Sequence, residues 1–242
     1  VKPSILFRSA ACALLIVLAV LEGCSGKPPV LSRVYGRVIY THDPATGVNG
    51  ETLGVFLVAS DPDGIENLSA FYVINDDAEL FWKVDNSTWV SSVAEGENWI
   101  GTTSIAMPGS TPFPSGDYRV VLQNSSGDTV EDTLSVPTRS VFAPDAKYPS
   151  ARVEGGIIKV LDAGKNAEIW TYANDGKFMG AYAAAGPGAP ITVAAIAAGA
   201  PALAAGFQFR VFVWDEQGGY GALSGPYSSA SGPAGAATGA RP

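Results

Sequence analysis

Asp117-Tyr118-Arg119-Val120-Val121-Leu122-Gln123 is the stretch on which the reading of the fold turns. Successive side chains of an extended strand point to opposite faces, so Tyr118, Val120 and Leu122 share one face. Arg119 and Gln123 lie on the other. One face is core and the other is largely wet, as in an antiparallel sheet solvated on one side.

Outward from that strand the same texture repeats. Short runs rich in Val, Ile, Phe, Tyr, Trp and Thr are cut by Gly, Asn, Asp and Pro, and no stretch beyond residue 30 sustains a helical period. This is the signature of an all-β sandwich or barrel. Strands are expected near 32–41, 51–60, 68–75, 79–84, 88–93, 99–105, 117–123 and 129–136. Gly54-Val55-Phe56-Leu57-Val58-Ala59 is apolar on both faces, as a central strand can be. Residues 137–149 carry three prolines and read as a linker merging into an edge strand, where the missing N–H of proline is tolerated. Further strands are expected near 151–160, 167–173, 177–183, 190–196, 207–214 and 219–224. Residues 229–242 hold Ser, Gly, Ala and Pro with one charge, Arg241, and read as a disordered tail.

Two internal echoes connect the halves. Gly116-Asp117-Tyr118-Arg119-Val120 returns as Phe207-Gln208-Phe209-Arg210-Val211, and Phe71-Tyr72-Val73-Ile74-Asn75-Asp76 as Trp170-Thr171-Tyr172-Ala173-Asn174-Asp175. The spacing is close to one immunoglobulin-like module of about 100 residues. With Trp170 on its third strand and Phe209-Arg210-Val211-Phe212-Val213 before its last hairpin, residues 150–228 resemble a fibronectin type III domain. Residues 31–136, in which Ala59-Ser60-Asp61-Pro62-Asp63-Gly64-Ile65 closes a strand, resemble a bacterial immunoglobulin-like domain. The fold implied is all-β, two tandem immunoglobulin-like β-sandwich modules.

The N-terminus carries a different signal. Lys2 and Arg8 precede an uninterrupted apolar run from Ala10 to Leu21, which is the layout of a secretory signal peptide. The run falls short of the about 20 residues needed to span a bilayer. It ends in Leu21-Glu22-Gly23-Cys24, which resembles the lipobox of bacterial lipoproteins at Leu21, Gly23 and Cys24 and departs from it at Glu22. The resemblance implies that residues 1–23 are removed as a lipoprotein signal peptide. Cys24 is then lipidated, and residues 24–30 tether the folded part to a membrane. Ser25 follows Cys24 where an Asp would resemble inner-membrane retention, so the outer membrane of the cell envelope is the expected location.

Composition narrows the chemistry. The chain has two cysteines, Cys12 in the signal and Cys24 at the lipid site. The mature chain then has none for a disulfide or a thiolate metal site, and its core must hold the fold. Residues 27–136 carry 5 basic and 15 acidic side chains, against 8 and 7 from residue 137 onward. An acidic half repels nucleic acid, whose binding needs cationic side chains at the phosphates.

Candidate sites are few. Asp61-Pro62-Asp63-Gly64 resembles the opening of a calcium loop, but Tyr72 stands where the bidentate Glu belongs, so a Pro-Gly turn is the better reading. Asp61 and Asp63 remain weak metal candidates, and no metal or cofactor is expected. His42, the single histidine, has no nucleophile elbow or free thiol beside it. Trp82, Trp89 and Trp99 are candidates for a stacking platform, with burial in the core as the competing account. On Phe207-Gln208-Phe209-Arg210-Val211-Phe212-Val213-Trp214, alternation puts Phe207, Phe209, Val211 and Val213 in the core. Arg210, Phe212 and Trp214 share the opposite face, where Phe212 and Trp214 need a cover and become candidate binding residues.

The expected function is a non-enzymatic interaction or scaffold module, held to the membrane by lipid on Cys24 and meeting a protein partner in the envelope. A carbohydrate or peptidoglycan ligand on the first-module aromatics is the alternative. A hydrolase built on turn carboxylates is a third reading.

Overall fold

A computed structural model describes residues 27–137, 147–162, 166–184, 191–215 and 220–230. Cys24, the signal segment, most of the linker and residues 231–242 lie outside the described residues.

The first half contributes β1 (Val30–His42), β2 (Asn49–Ser60), β3 (Leu68–Asn75), β4 (Leu80–Asp85), β5 (Val90–Ala94), β6 (Glu97–Ala106), β7 (Gly116–Asn124) and β8 (Thr129–Val136). The opening heptapeptide lies in β7, and Tyr118, Val120 and Leu122 are fully buried. The second half contributes β9 (Ser150–Glu154), β10 (Ile157–Leu161), β11 (Glu168–Tyr172), β12 (Phe178–Ala183), β13 (Ile191–Thr192), α1 (Val193–Gly199), β14 (Gln208–Asp215) and β15 (Tyr220–Ser228).

Two expected elements come out differently. The single strand foreseen over 151–160 is a hairpin, β9–β10, because Gly155 and Gly156 take φ of 57° and 77° and reverse the chain. Such angles are open to glycine without the penalty a side chain would add. The strand foreseen over 190–196 is mostly α1. There Thr192 accepts a bond from the Ala195 N–H at 3.0 Å, a side-chain N-cap, and the alanines that follow are strong helix formers. Ile196, fully buried, fixes the short helix to the second core.

The architecture is mostly β, a multi-sheet, sandwich-like arrangement. An eight-stranded sheet runs in the order β12-β11-β14-β15-β1-β2-β6-β5. A four-stranded sheet, β4-β3-β7-β8, packs on one half of it, and a three-stranded sheet, β13-β10-β9, accompanies the other. Leu53, Val55 and Leu57 of β2 meet Phe71, Val73, Tyr118 and Leu122 in the first core. Ile158, Ile169, Phe209 and Val211 form the second, with Leu203 and Phe207. Each large apolar side chain so buried contributes about 1.5–3 kcal/mol.

The two halves are joined within the large sheet. β1 and β15 pair in parallel, Ile39 with Gly221 through His42 with Ser224. Tyr40, 1 % exposed, packs edge-on against Tyr220 at 5.4 Å beside the buried Ala222, in a small cluster of its own at the junction.

Candidate functional site

Register assigns the two faces of the eight-stranded sheet. Val34, Gly36 and Val38 of β1 lie opposite Leu57, Val55 and Leu53 and share the face that covers the first core. Tyr35, Arg37 and Ile39 therefore share the other face with Phe56. That second face continues through Gly221 and Leu223 of β15 to Phe212 and Trp214 of β14, which pair with them. Among the described residues the cluster on that face, Ile39, Trp170 and Leu223 with Tyr172, Phe178 and Phe212, draws on no strand of the smaller sheets.

On that face the sheet curls into a trough. Tyr172 on β11 and Thr103 on β6 are five strands apart in the sheet order, which in a flat sheet would separate them by about 24 Å. Their side chains nonetheless come near enough for Thr103 to act on the Tyr172 hydroxyl. Burial pushes that hydroxyl above its ordinary value, while the nearby Arg210 charge and the Thr103 side chain act against the rise. The trough has a volume of about 980 Å³. Its walls carry Phe56 and Trp99 from the first half and Trp170, Tyr172, Phe178 and Arg210 from the second.

The aromatic set is held by specific contacts. Phe56 lies over Gly101 so closely that a Cβ there would come within 2.4 Å of its ring. Phe212 covers Gly221 in the same manner and stacks on Trp170 at 4.6 Å and 16°. The Trp170 indole N–H donates to Glu168 Oε2 at 2.8 Å, and its ring meets the edge of Phe178. Arg210 stands 5.7 Å from the Tyr172 ring centroid and Arg37 only 4.3 Å from that of Trp214, both within the range of a cation–π contact.

The residues singled out from sequence fall in different places. Trp82 packs on the first core, stacks near Tyr118 and donates its indole N–H to the Ala106 carbonyl at 2.9 Å. Trp89 also packs on that core, stacked on Phe71 at 6.1 Å, while one side of it reaches the trough. Trp99 stacks on Tyr35 and lines the trough, with its indole nitrogen buried and without a hydrogen-bond partner. The three therefore form no common platform. Phe212 and Trp214 do share the uncovered face with Arg210, and the side chains beside them come from β11 and from β1 of the first half. Phe56, Trp170, Tyr172 and Phe178 were not singled out as site residues.

Asp61 has a structural part. Its Oδ1 accepts from the Asp63 N–H at 2.9 Å and from Asn67 Nδ2 at 3.0 Å, and its Oδ2 from Asn124 Nδ2 at 3.3 Å. Burial pushes this carboxyl up, and the bonds from Asn67, Asp63 and Asn124 outweigh it, holding the group below its ordinary value. Asp63 is exposed. Among the described residues no group of three or more His, Cys, Asp or Glu side chains is placed to hold a metal ion. His42 stacks on Tyr148 at 5.1 Å, with its Nδ1 2.8 Å from Asn49 Oδ1.

No protein-family model matches the chain, and no curated protein does. Among solved structures, dimeric latent PorU from Porphyromonas gingivalis aligns at 15 % identity and a TM-score of 0.31, over 86 % of this chain and 20 % of its own. Tp47, the 47-kilodalton lipoprotein of Treponema pallidum, aligns at 13 % identity and the same TM-score, over 83 % of this chain and 51 % of its own. The chain thus spans about a fifth and about half of these two neighbours. Among the described residues no helix is long and apolar enough to cross a membrane, which leaves strand-built spans aside.

Proposed function

We propose that this protein is a lipid-anchored component of a bacterial cell envelope that acts without catalysis, as an interaction module whose binding surface is the trough. Cys24 is the lipid site and the outer membrane its location. The halves are a bacterial immunoglobulin-like module and a fibronectin type III-like module joined through β1 and β15.

One observation carries the reading: a sheet face bearing Phe56, Trp99, Trp170 and Tyr172 faces a cleft and not a second layer of the fold. A concavity lined by aromatic side chains with a few polar groups among them is the usual form of a binding site. The residues that frame it come from both halves, so the shared sheet gives the site its shape.

The test is photo-crosslinking in the cell. A photoreactive residue at Ser91, exposed on the trough wall, should give an adduct on irradiation, and one at Thr133, exposed on β8 of the four-stranded sheet, should give none. Absence of an adduct at Ser91, or equal adducts at both positions, would overturn the reading.

A further inference from the structure

We infer that the trough takes an uncharged oligosaccharide segment, an assignment that rests on the trough being the binding surface. Three features of its lining converge on that ligand.

The first is the pairing of aromatic faces with hydroxyls. Between Phe56, Trp99 and Tyr172 the surface carries Thr52, Ser91, Ser92, Thr102, Thr103 and Ser104. A sugar ring presents the same duality, an apolar face of C–H groups and a rim of hydroxyls that both donate and accept. A lipid chain would fill the volume and strip water from the exposed Ser91 and Ser92 hydroxyls without replacing their bonds, which is unfavourable.

The second is unused bonding capacity. The Trp99 indole nitrogen and Thr52 Oγ1 are buried without a partner, and both residues line the trough. The indole N–H donates only, and the Thr hydroxyl donates or accepts, so together they suit a ligand rich in hydroxyl and ring oxygens. Buried polar groups are nearly always paired; both atoms are closed off from solvent while the trough is empty, so a ligand oxygen reaches them only as the wall adjusts around it.

The third is charge. The lining carries two acids, Glu168 and Asp175, and two bases, Lys177 and Arg210. Glu168 is occupied by the Trp170 indole and Arg210 faces the Tyr172 ring. The lining as a whole selects neither anion nor cation.

The volume lies at the upper end of the about 300–1,000 Å³ typical of small-molecule sites, so a segment of several rings is the natural occupant.

The experiment titrates the full chain, in a detergent without a sugar headgroup, with uncharged tetrasaccharides: chitotetraose, cellotetraose and maltotetraose. Tryptophan fluorescence and calorimetry read the binding. At least one should bind saturably, and Trp99→Ala should weaken it about tenfold. Ser91→Trp, which fills the trough from an exposed position, should weaken it as much and keeps the test valid if Trp99→Ala fails to fold. Trp82→Phe, on the first core, should leave the affinity unchanged. Binding that Ser91→Trp does not alter would overturn the assignment. So would no binding of any of the three up to about 10 mM. In that case a polypeptide adduct from Ser91 would remove the sugar and keep the trough as a binding surface, whereas no adduct at all would remove both.

Discussion

Replacing Tyr40 by Ala tests whether the two halves behave as one folded body. Tyr40 is 1 % exposed, lies where β1 meets β15, and holds an edge-on contact with Tyr220. Truncating a buried aromatic side chain to Ala costs about 3–5 kcal/mol, from lost burial and the cavity left behind. The Tyr220 ring forfeits its partner, and Ala222 is too small to fill the space. About 4 kcal/mol is the working value. For a chain of this length each kcal/mol moves the melting temperature by about 2–4 °C, so a fall of about 8–16 °C is expected. The assay is thermal unfolding followed by circular dichroism and by tryptophan emission, with limited proteolysis of samples held below the midpoint. Because Trp82, Trp89 and Trp99 lie in the first half and Trp170 and Trp214 in the second, both halves report. A single transition that moves as a whole is expected, since the junction is part of one sheet. Two separated transitions of which only one shifts, or a fall under about 2 °C, would refute the reasoning.

The remaining predictions are briefer. Cys24→Ala should abolish metabolic palmitate labelling and move the protein from the detergent phase to the aqueous phase; an unlabelled wild type would dismiss the lipobox reading, with Glu22 the first suspect. Asp61→Ala should destabilise by about 2 kcal/mol in urea unfolding, because Asn67 and the buried Asn124 lose an acceptor, while a calcium chelator should leave the wild-type melting temperature in place. The folded-state pKa of Asp61 lies below its ordinary 3.8, so its contribution is complete above that value and is lost as pH falls beneath it. Asp61→Asn should accordingly flatten the acid limb of the stability profile, and an unchanged limb would assign it to other carboxylates. Gly101→Val would place a Cβ 2.4 Å from the Phe56 ring and 2.5 Å from the Val55 carbonyl oxygen, and should cost about 1–3 kcal/mol with loss of trough binding. Retained binding would show that Phe56 does not shape the site.

Strand alternation made most of the first half legible. Tyr118, Val120 and Leu122 face inward as their spacing demands, and Phe207, Phe209 and Val211 do the same in the second half. In each case a burial difference between odd and even positions forces the register. The misread segments are those in which that difference is weak. Across 151–160 the apolar residues Val153, Ile157, Ile158 and Val160 keep enough β character to suggest one strand, and only the Gly155-Gly156 pair marks the reversal. Over 193–199, alanine is small enough to sit in a strand or a helix, and the decision fell to the Thr192 cap and to Ile196 reaching the core.

The trough was beyond the reach of local pattern for a different reason. Alternation on Trp170-Thr171-Tyr172 puts Trp170 and Tyr172 on one face and the fully buried Thr171 on the other, but it does not say which face is open. That choice is made by β1, more than a hundred residues away, whose parallel pairing with β15 carries the outer face of the first half onto that of the second. A long-range parallel pair has no turn to announce it. Its cues are distributed: Phe212 and Trp214 on the wrong side of an otherwise ordinary strand, Gly221 opposite Trp214, and Gly101 opposite Phe56. Each glycine leaves room for an aromatic ring to lie flat, Phe212 over Gly221 and Phe56 over Gly101, so the open face is surfaced by aromatic planes instead of side chains standing upright. The same packing that makes the face apolar also makes it smooth and concave. It follows that the glycines and the register of β1 with β15, as much as the tryptophans, determine what the trough can hold.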